Sequence, residues 1–229
     1  MTNVKISFNI ITIFPDMFSA IRDEGVIARA IKKSIISLKT WQLRDFSDNQ
    51  YRNVDDKPYG GGAGMVMQVR PIRDCLSVIK ESSPNTKVVY LSPQGKKLNQ
   101  KLVEELSDLD SITFLCGRYE GVDERVIEND VDMEVSIGDY VISGGELAAM
   151  VLIDAISRRL PGVLGNESSL KDSFTNNLLD HPHYTRPEVV DGQSVPEVLL
   201  SGHQAKIDAW RLQQSIQKTK LKRPDLIGD

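Results

Sequence analysis

Residues 136–150, SIGDYVISGGELAAM, set Gly138, Gly144 and Gly145 around a short apolar step at 140–142. A Gly-rich turn ahead of a helix is a ready site for phosphate when a cation joins its backbone N–H groups. The charges within this stretch are Asp139 and Glu146, and it holds no Lys or Arg. It is therefore unsuited to phosphate. Two more polar, Gly-containing stretches, YLSPQG and CGRYEGVDER, follow apolar runs in the same way.

Other chemistries find less support. The P-loop pattern GxxxxGK[ST] is absent, and YGGGAGM at 59–65 has neither the Lys nor the Ser/Thr that would hold nucleotide and magnesium. That loop reads either as a backbone-exposing flap over a ligand or as a surface turn. His181 and His183 flank Pro182 after Asp180, but no Cys or Glu stands at a recognised zinc spacing, so imidazole hydrogen bonding is the better reading. There is no GxSxG nucleophile elbow. Carboxylates at Asp139, Glu146, Glu120, Asp123 and Glu124 accompany the glycines. Adenine can be read by exposed backbone, and a positively charged sulfonium gains from nearby carboxylates. The set suits S-adenosylmethionine better than ATP or NAD.

These residues need a frame. The chain has 229 residues, 40% apolar and 26% charged, enough for one large domain or a medium and a small one. Cys75 and Cys116 sit in apolar surroundings without metal spacing, which predicts buried thiols and a reducing, cytoplasmic compartment. No stretch reaches membrane-spanning length, and the first residues lack a signal-peptide pattern. Net charge is −4, yet residues 206–223 carry six basic side chains (Lys206, Arg211, Lys218, Lys220, Lys222, Arg223) against Asp208 alone. That excess is either a polyanion footprint or a solvated helix face.

Apolar, β-branched runs predict strands at 6–13, 35–43, 87–91, 111–117 and 131–135, the third ending at Ser92-Pro93. Helical spacing covers 15–33, 71–80, 98–106, 123–129, 146–159 and 203–217, with a long loop at 45–67. Alternating strands and helices imply a parallel α/β sheet, whose ligands bind beyond the carboxyl ends of strands. The three Gly-rich stretches lie at such ends and predict one composite pocket. The expected division is a domain over 1–161, a linker over 162–171 and a small, mostly helical domain over 172–229, with no strong strand in the last.

The motifs NIITIFPDMF, DDKPYGGGAGM, VVYLSPQGK, CGRYEGVDER, SIGDYVISGGELAAM, SRRLPGVLG, DSF and LDHPHYTRPEV…VPEVLLSGHQAKIDAWR occur in this order over nearly the whole chain. Together they resemble the bacterial tRNA (guanine-N1)-methyltransferases, the TrmD family of the SPOUT superfamily. Ala63 and Ala148 stand where that family usually has Pro. The resemblance implies a SPOUT fold with a deep C-terminal trefoil knot and a homodimer that shares its active site across the interface. It implies that S-adenosylmethionine is held by Tyr90, Leu91, Ser92 and Pro93, by Gly117, Tyr119 and Glu120, and by Ser136, Ile137, Gly138, Asp139, Tyr140, Val141, Ile142, Gly144 and Gly145. The implied substrate is tRNA, methylated on N1 of the guanosine at position 37, beside the anticodon. A need for magnesium is also implied, for which the sequence offers no separate ligand set.

Guanine N1 carries a proton at neutral pH, so a base must remove it as the methyl transfers. Asp172 matches the family's general base; on local pattern alone it is the N-cap of a helix over DSFTNNLL. Arg158 matches the residue that would stabilise charge on guanine O6; on local pattern alone it complements a helix C-terminus. The target base must leave its stack, so a lid is expected, and 162–171 is the candidate. Two other functions stay open: a SPOUT RNA methyltransferase with another target base, and a non-catalytic RNA-binding protein of the same fold. Having both Asp172 and Arg158 argues against the latter.

Overall fold

The computed structural model describes residues 4–165 and 172–227, which fall into two compact units, 1–165 and 166–229. In the first, the elements are β1 (Ile6–Thr12), α1 (Ser19–Arg22), α2 (Gly25–Lys32), β2 (Ile36–Gln42), β3 (Asp55–Asp56), β4 (Val66–Met67), α3 (Val69–Ser82), β5 (Lys87–Lys97), α4 (Gln100–Ser107), β6 (Ser111–Cys116), α5 (Glu124–Asp130), β7 (Met133–Ser136) and α6 (Gly145–Ser157). The second holds β8 (Val189–Val190), β9 (Gln193–Ser194), α7 (Glu197–Leu200) and α8 (Gln204–Lys222).

Five strands form one sheet in the order β2-β1-β6-β5-β7, and every pairing in it is parallel. The largely apolar runs of β1, β6 and the first half of β5 are buried on both faces, as such a sheet demands. Period-two alternation divides them. Ile6, Phe8 and Ile10 of β1, Val89 and Leu91 of β5, and Ile112, Phe114 and Cys116 of β6 face one core with α2, α4 and α6. Ile11, Val88, Tyr90 and Leu115 face the other with α3 and α5. Phe8 and Phe114 stack at 6.0 Å between ring centroids in the first core.

Three local expectations are corrected. The helix expected over 15–33 is a 3-10 turn and two short helices, because Glu24 is extended and Gly25 takes φ +76°. Strand β5 does not end at Ser92-Pro93 but resumes pairing: Leu91 and Lys96 both face Val135, so 92–95 loop out between them. Pro93 falls in that unpaired stretch, where a missing N–H costs nothing. The loop over 45–67 contains the two-residue pair β3–β4.

Helix α6 starts against the sheet. A Cβ on Gly145 would lie 2.8 Å from the Cα of Cys116 and 3.1 Å from the amide nitrogen of Gly117, while its own N–H donates to the Gly117 carbonyl at 2.9 Å. Residues 162–165 of the expected linker pack with the first unit: Val163 is buried, and Pro161 bridges to Leu164. The rest of the expected linker and lid, 166–171, lies outside the described residues.

The second unit is built on α8, whose Thr219 accepts from the N–H of Leu179 at 2.8 Å and donates to the Ser215 carbonyl at 2.6 Å. It also contains two strands of two residues each. Asp191 and Gly192 both adopt positive φ and close the β8–β9 hairpin, as an Asp-Gly pair does in a tight turn.

The Gly145 contact has a measurable cost. Gly145→Ala forces helix and strand apart and should lower stability by about 1–3 kcal/mol. Gly165, with no atom within 4 Å of an added Cβ, is the control. Thermal unfolding that leaves the two Ala variants equally stable would refute the close-packing account.

Candidate functional site

Beyond the carboxyl ends of β6, β5 and β7 lies a cleft of about 260 Å³. The structure brings to it Tyr90, Leu91, Ser92 and Pro93 from β5 and its looped stretch, Gly117, Tyr119 and Glu120 from the turn after β6, and Ser136, Ile137, Gly138, Tyr140, Val141, Ile142, Gly144 and Gly145 from the segment between β7 and α6. Of the residues expected to hold a methyl donor, Asp139 alone does not line the cleft; it is exposed and pairs with Lys97 at 2.9 Å. Sequence reasoning missed Gln94, Arg118 and Ser143, which line the cleft too.

The walls are made by backbone and rings packed close. Gly117 has no Cβ because the ring of Tyr90 occupies the space, 2.9 Å from where it would be. Burial pushes the Tyr90 phenol up, though a hydrogen bond with the Val122 backbone opposes this. The Gly-rich loop at 59–65 is tied to this wall at its far end. Glu120 N–H donates to the Met65 carbonyl at 3.0 Å, Met67 N–H to Gly121 at 2.9 Å and Asp123 N–H to Met67 at 3.1 Å. Tyr59, at the start of the loop, is fully exposed.

The electrostatics differ from those expected. Glu146 is completely buried in the first turn of α6 and does not face a ligand as a bare carboxylate. Its Oε2 accepts from Arg118 Nε at 2.9 Å and Nη2 at 2.8 Å, and its Oε1 accepts from Thr12 Oγ1 at 2.7 Å. Asp123 caps α5 and is held below the usual carboxylate range, chiefly by its hydrogen bond from Arg125. Three of the expected carboxylates are thus neutralised by neighbouring cations. Glu120 is the carboxylate that lines the cleft without an ion pair among the described residues. Both thiols are inert: burial pushes Cys75 up to about 12, and Cys116 well above its ordinary value.

Arg158 and Asp172 belong to different units. Arg158 is the C-cap of α6 and continues an outward stripe of Leu147, Val151 and Asp154, all exposed. The 13 residues of α6 span roughly 20 Å, so this arginine stands at the opposite end of the helix from the cleft. Asp172 is half-buried and is not the N-cap of the 3-10 turn Thr175–Asn177, which has Phe174 there; Phe174, Asn176 and Asn177 take positive φ. The helix expected over DSFTNNLL is absent.

In the second unit His183 Nε2 lies 2.9 Å from Asp180 Oδ2, and Asp180 Oδ1 accepts the His181 N–H at 2.8 Å. Burial opposes ionisation of Asp180, but these bonds and the two imidazoles outweigh it and lower its pKa. The basic stretch is narrower than its composition. Lys218 donates to the Asp180 carbonyl at 2.8 Å, Arg223 pairs with Asp225 at 2.7 Å and Arg211 with Asp208 at 3.6 Å. Lys206, Lys220 and Lys222 are exposed and have no ion pair among the described residues. Among the described residues no helix is long and apolar enough to cross a membrane.

A parallel sheet with a Gly-lined cleft across three adjacent strand ends defines an α/β protein of the ligand-binding type. The family model described as tRNA (Guanine-1)-methyltransferase TrmD matches residues 6–229. Curated proteins called tRNA (guanine-N(1)-)-methyltransferase are similar: that of Nitrosospira multiformis is 58% identical over 96% of this chain and 89% of its own length. That of Shewanella woodyi is 56% identical over 95% and 89%, and that of Aliivibrio fischeri 55% over 96% and 89%. The chain belongs to this family, and it is an enzyme.

The Asp180 network is an acid-sensitive brace in the second unit. Because its folded pKa is lowered, its contribution is present above the unfolded carboxylate range and is lost as pH falls through the folded value. Asp180→Asn should cost about 1 kcal/mol near pH 7 and less at a second pH below the ordinary carboxylate range. Equal unfolding deficits at the two pH values would contradict this.

Proposed function

We infer that the chain transfers a methyl group from S-adenosylmethionine to N1 of the guanosine beside the anticodon, at position 37 of tRNA. One observation carries this reading: the three Gly-rich strand ends converge on a cleft whose one lining cation, Arg118, is neutralised by Glu146. Such a site suits a ligand without phosphate, bound by exposed backbone and tolerated as a sulfonium. The bound donor supplies an electrophilic methyl group. Looped residues 92–95 and the 136–145 segment surround the cleft, an arrangement that suits a knotted SPOUT fold.

Asp172 is the group that takes the proton from guanine N1, since the nitrogen lone pair is free to attack only after deprotonation. Phe174, and not Asp172, is the N-cap of the turn that follows. Arg158 donates to guanine O6, where negative charge collects. Its distance along α6 from the cleft of its own chain supports a shared site, in which it serves the cleft of a second copy. The exposed apolar residues Leu147 and Val151 on the same stripe support the same homodimer, since a second copy would cover them. Lys206, Lys220 and Lys222 are the cations left to meet tRNA phosphates.

Among the described residues magnesium finds no matching set of oxygen ligands. Among the described residues the group able to hold a metal is Asp180, His181 and His183, and two imidazoles suit softer metals.

Two experiments test the proposal. Unmodified tRNA with labelled S-adenosylmethionine should gain one methyl, mapped to guanine N1 at position 37. Asp172→Ala should slow turnover by about 10²–10⁴-fold and Arg158→Ala by about 10²-fold or more, with circular dichroism unchanged. Methylation at another base, or an unaffected Asp172→Ala enzyme, would sink the assignment. Separately, Leu147→Glu with Val151→Glu should turn a sedimenting dimer into monomers that no longer methylate. A wild-type protein sedimenting as a monomer would remove the shared site.

A further inference from the structure

Glu146 is the one fully buried charged side chain among the described residues. Buried ion pairs contribute little net stability, because desolvation offsets their attraction. Its placement therefore calls for another account. The Arg118 fork sets Nε and Nη2 on Glu146 and donates Nη1 to the Ser143 carbonyl at 3.1 Å. The guanidinium lies 4.6 Å from the ring centroid of Phe14, whose N–H bonds at 2.9 Å to the same Thr12 hydroxyl that holds Glu146. A Cβ on Gly144 would fall 2.1 Å from Arg118 Nε, although the backbone there is extended and open to any residue. The arginine side chain thus fills the room left by that glycine and fastens the 136–145 wall to the turn after β6.

We propose that Arg118 and Glu146 are a positioning pair for the methyl donor. Arg118 fixes the 136–145 wall through Ser143, and Glu146 cancels its charge so that the cleft accepts a sulfonium. This rests on the methyl-donor reading of the cleft. An uncompensated guanidinium lining the cleft would repel a cationic sulfur and leave a neutral one unaffected. The pair therefore sets the preference between S-adenosylmethionine and S-adenosylhomocysteine, which differ by one methyl group and one charge.

Calorimetric titration of the full chain with each compound tests this. Glu146→Gln should lose about tenfold more affinity for S-adenosylmethionine than for S-adenosylhomocysteine. Equal losses, or no loss, would overturn the proposal, since a purely structural role weakens both alike. Thr12→Val removes one bond that orients the carboxylate, and it keeps the test decisive if Glu146→Gln does not fold. It should shift the same ratio in the same direction by about two- to threefold, and an unchanged ratio overturns the proposal. A wild-type chain that binds neither compound is a separate result: it defeats the donor reading itself.

Discussion

Helix α6 begins where a side chain could not. At Gly145 the helix backbone rests on the backbone of the last residue of β6, with 2.8 Å left for a Cβ that is not there. From that contact the helix runs over the sheet and buries Ala148, Ala149, Leu152, Ile153 and Ile156 in the larger core. It also brings the incoming segment across the ends of three strands. Core and cleft therefore share one close approach, and the packing that stabilises the first unit shapes its site.

The polar interior follows from this. Closing the segment down on the sheet carries Glu146 out of water, where an unpaired carboxylate would be costly. Arg118 and Thr12 saturate it from two neighbouring strand ends. The same arginine reaches the Ser143 carbonyl, so one side chain answers both the burial of a charge and the placement of a loop. The peripheral ion pairs, such as Lys97–Asp139, stay solvated, so they carry little desolvation cost and add little stability.

Much of this frame is legible in the residues because parallel strands buried on both faces read as largely apolar runs, as in ISFNIIT and SITFLC. The convergence of Gly-rich stretches is legible for the same reason, since the ends of such strands share one edge. What stays hidden is pairing across distance. Nothing near Glu146 announces that Arg118 will neutralise it, and the acidic pocket read from composition is largely a set of ion pairs. Lys218 and Lys220 are alike in sequence, yet one turns to the Asp180 carbonyl and the other to solvent. The DSFTNNLL pattern favours a capped helix, but positive φ at Phe174, Asn176 and Asn177 breaks it. The Asp191-Gly192 turn was a readable hairpin signal, weakened by strands only two residues long.

The outward stripe of α6 places Leu147, Val151, Asp154 and Arg158 within a narrow arc, each three or four residues from the last. A helix carrying such a stripe from a fixed start acts as a gauge. One inserted residue would advance Arg158 by about 1.5 Å and swing it by about 100°. The apolar residues before the insertion would keep their direction while the arginine lost its own. Substitution along this helix is a question of chemistry at each site, but its length is a question of phase, and phase admits no gradual change.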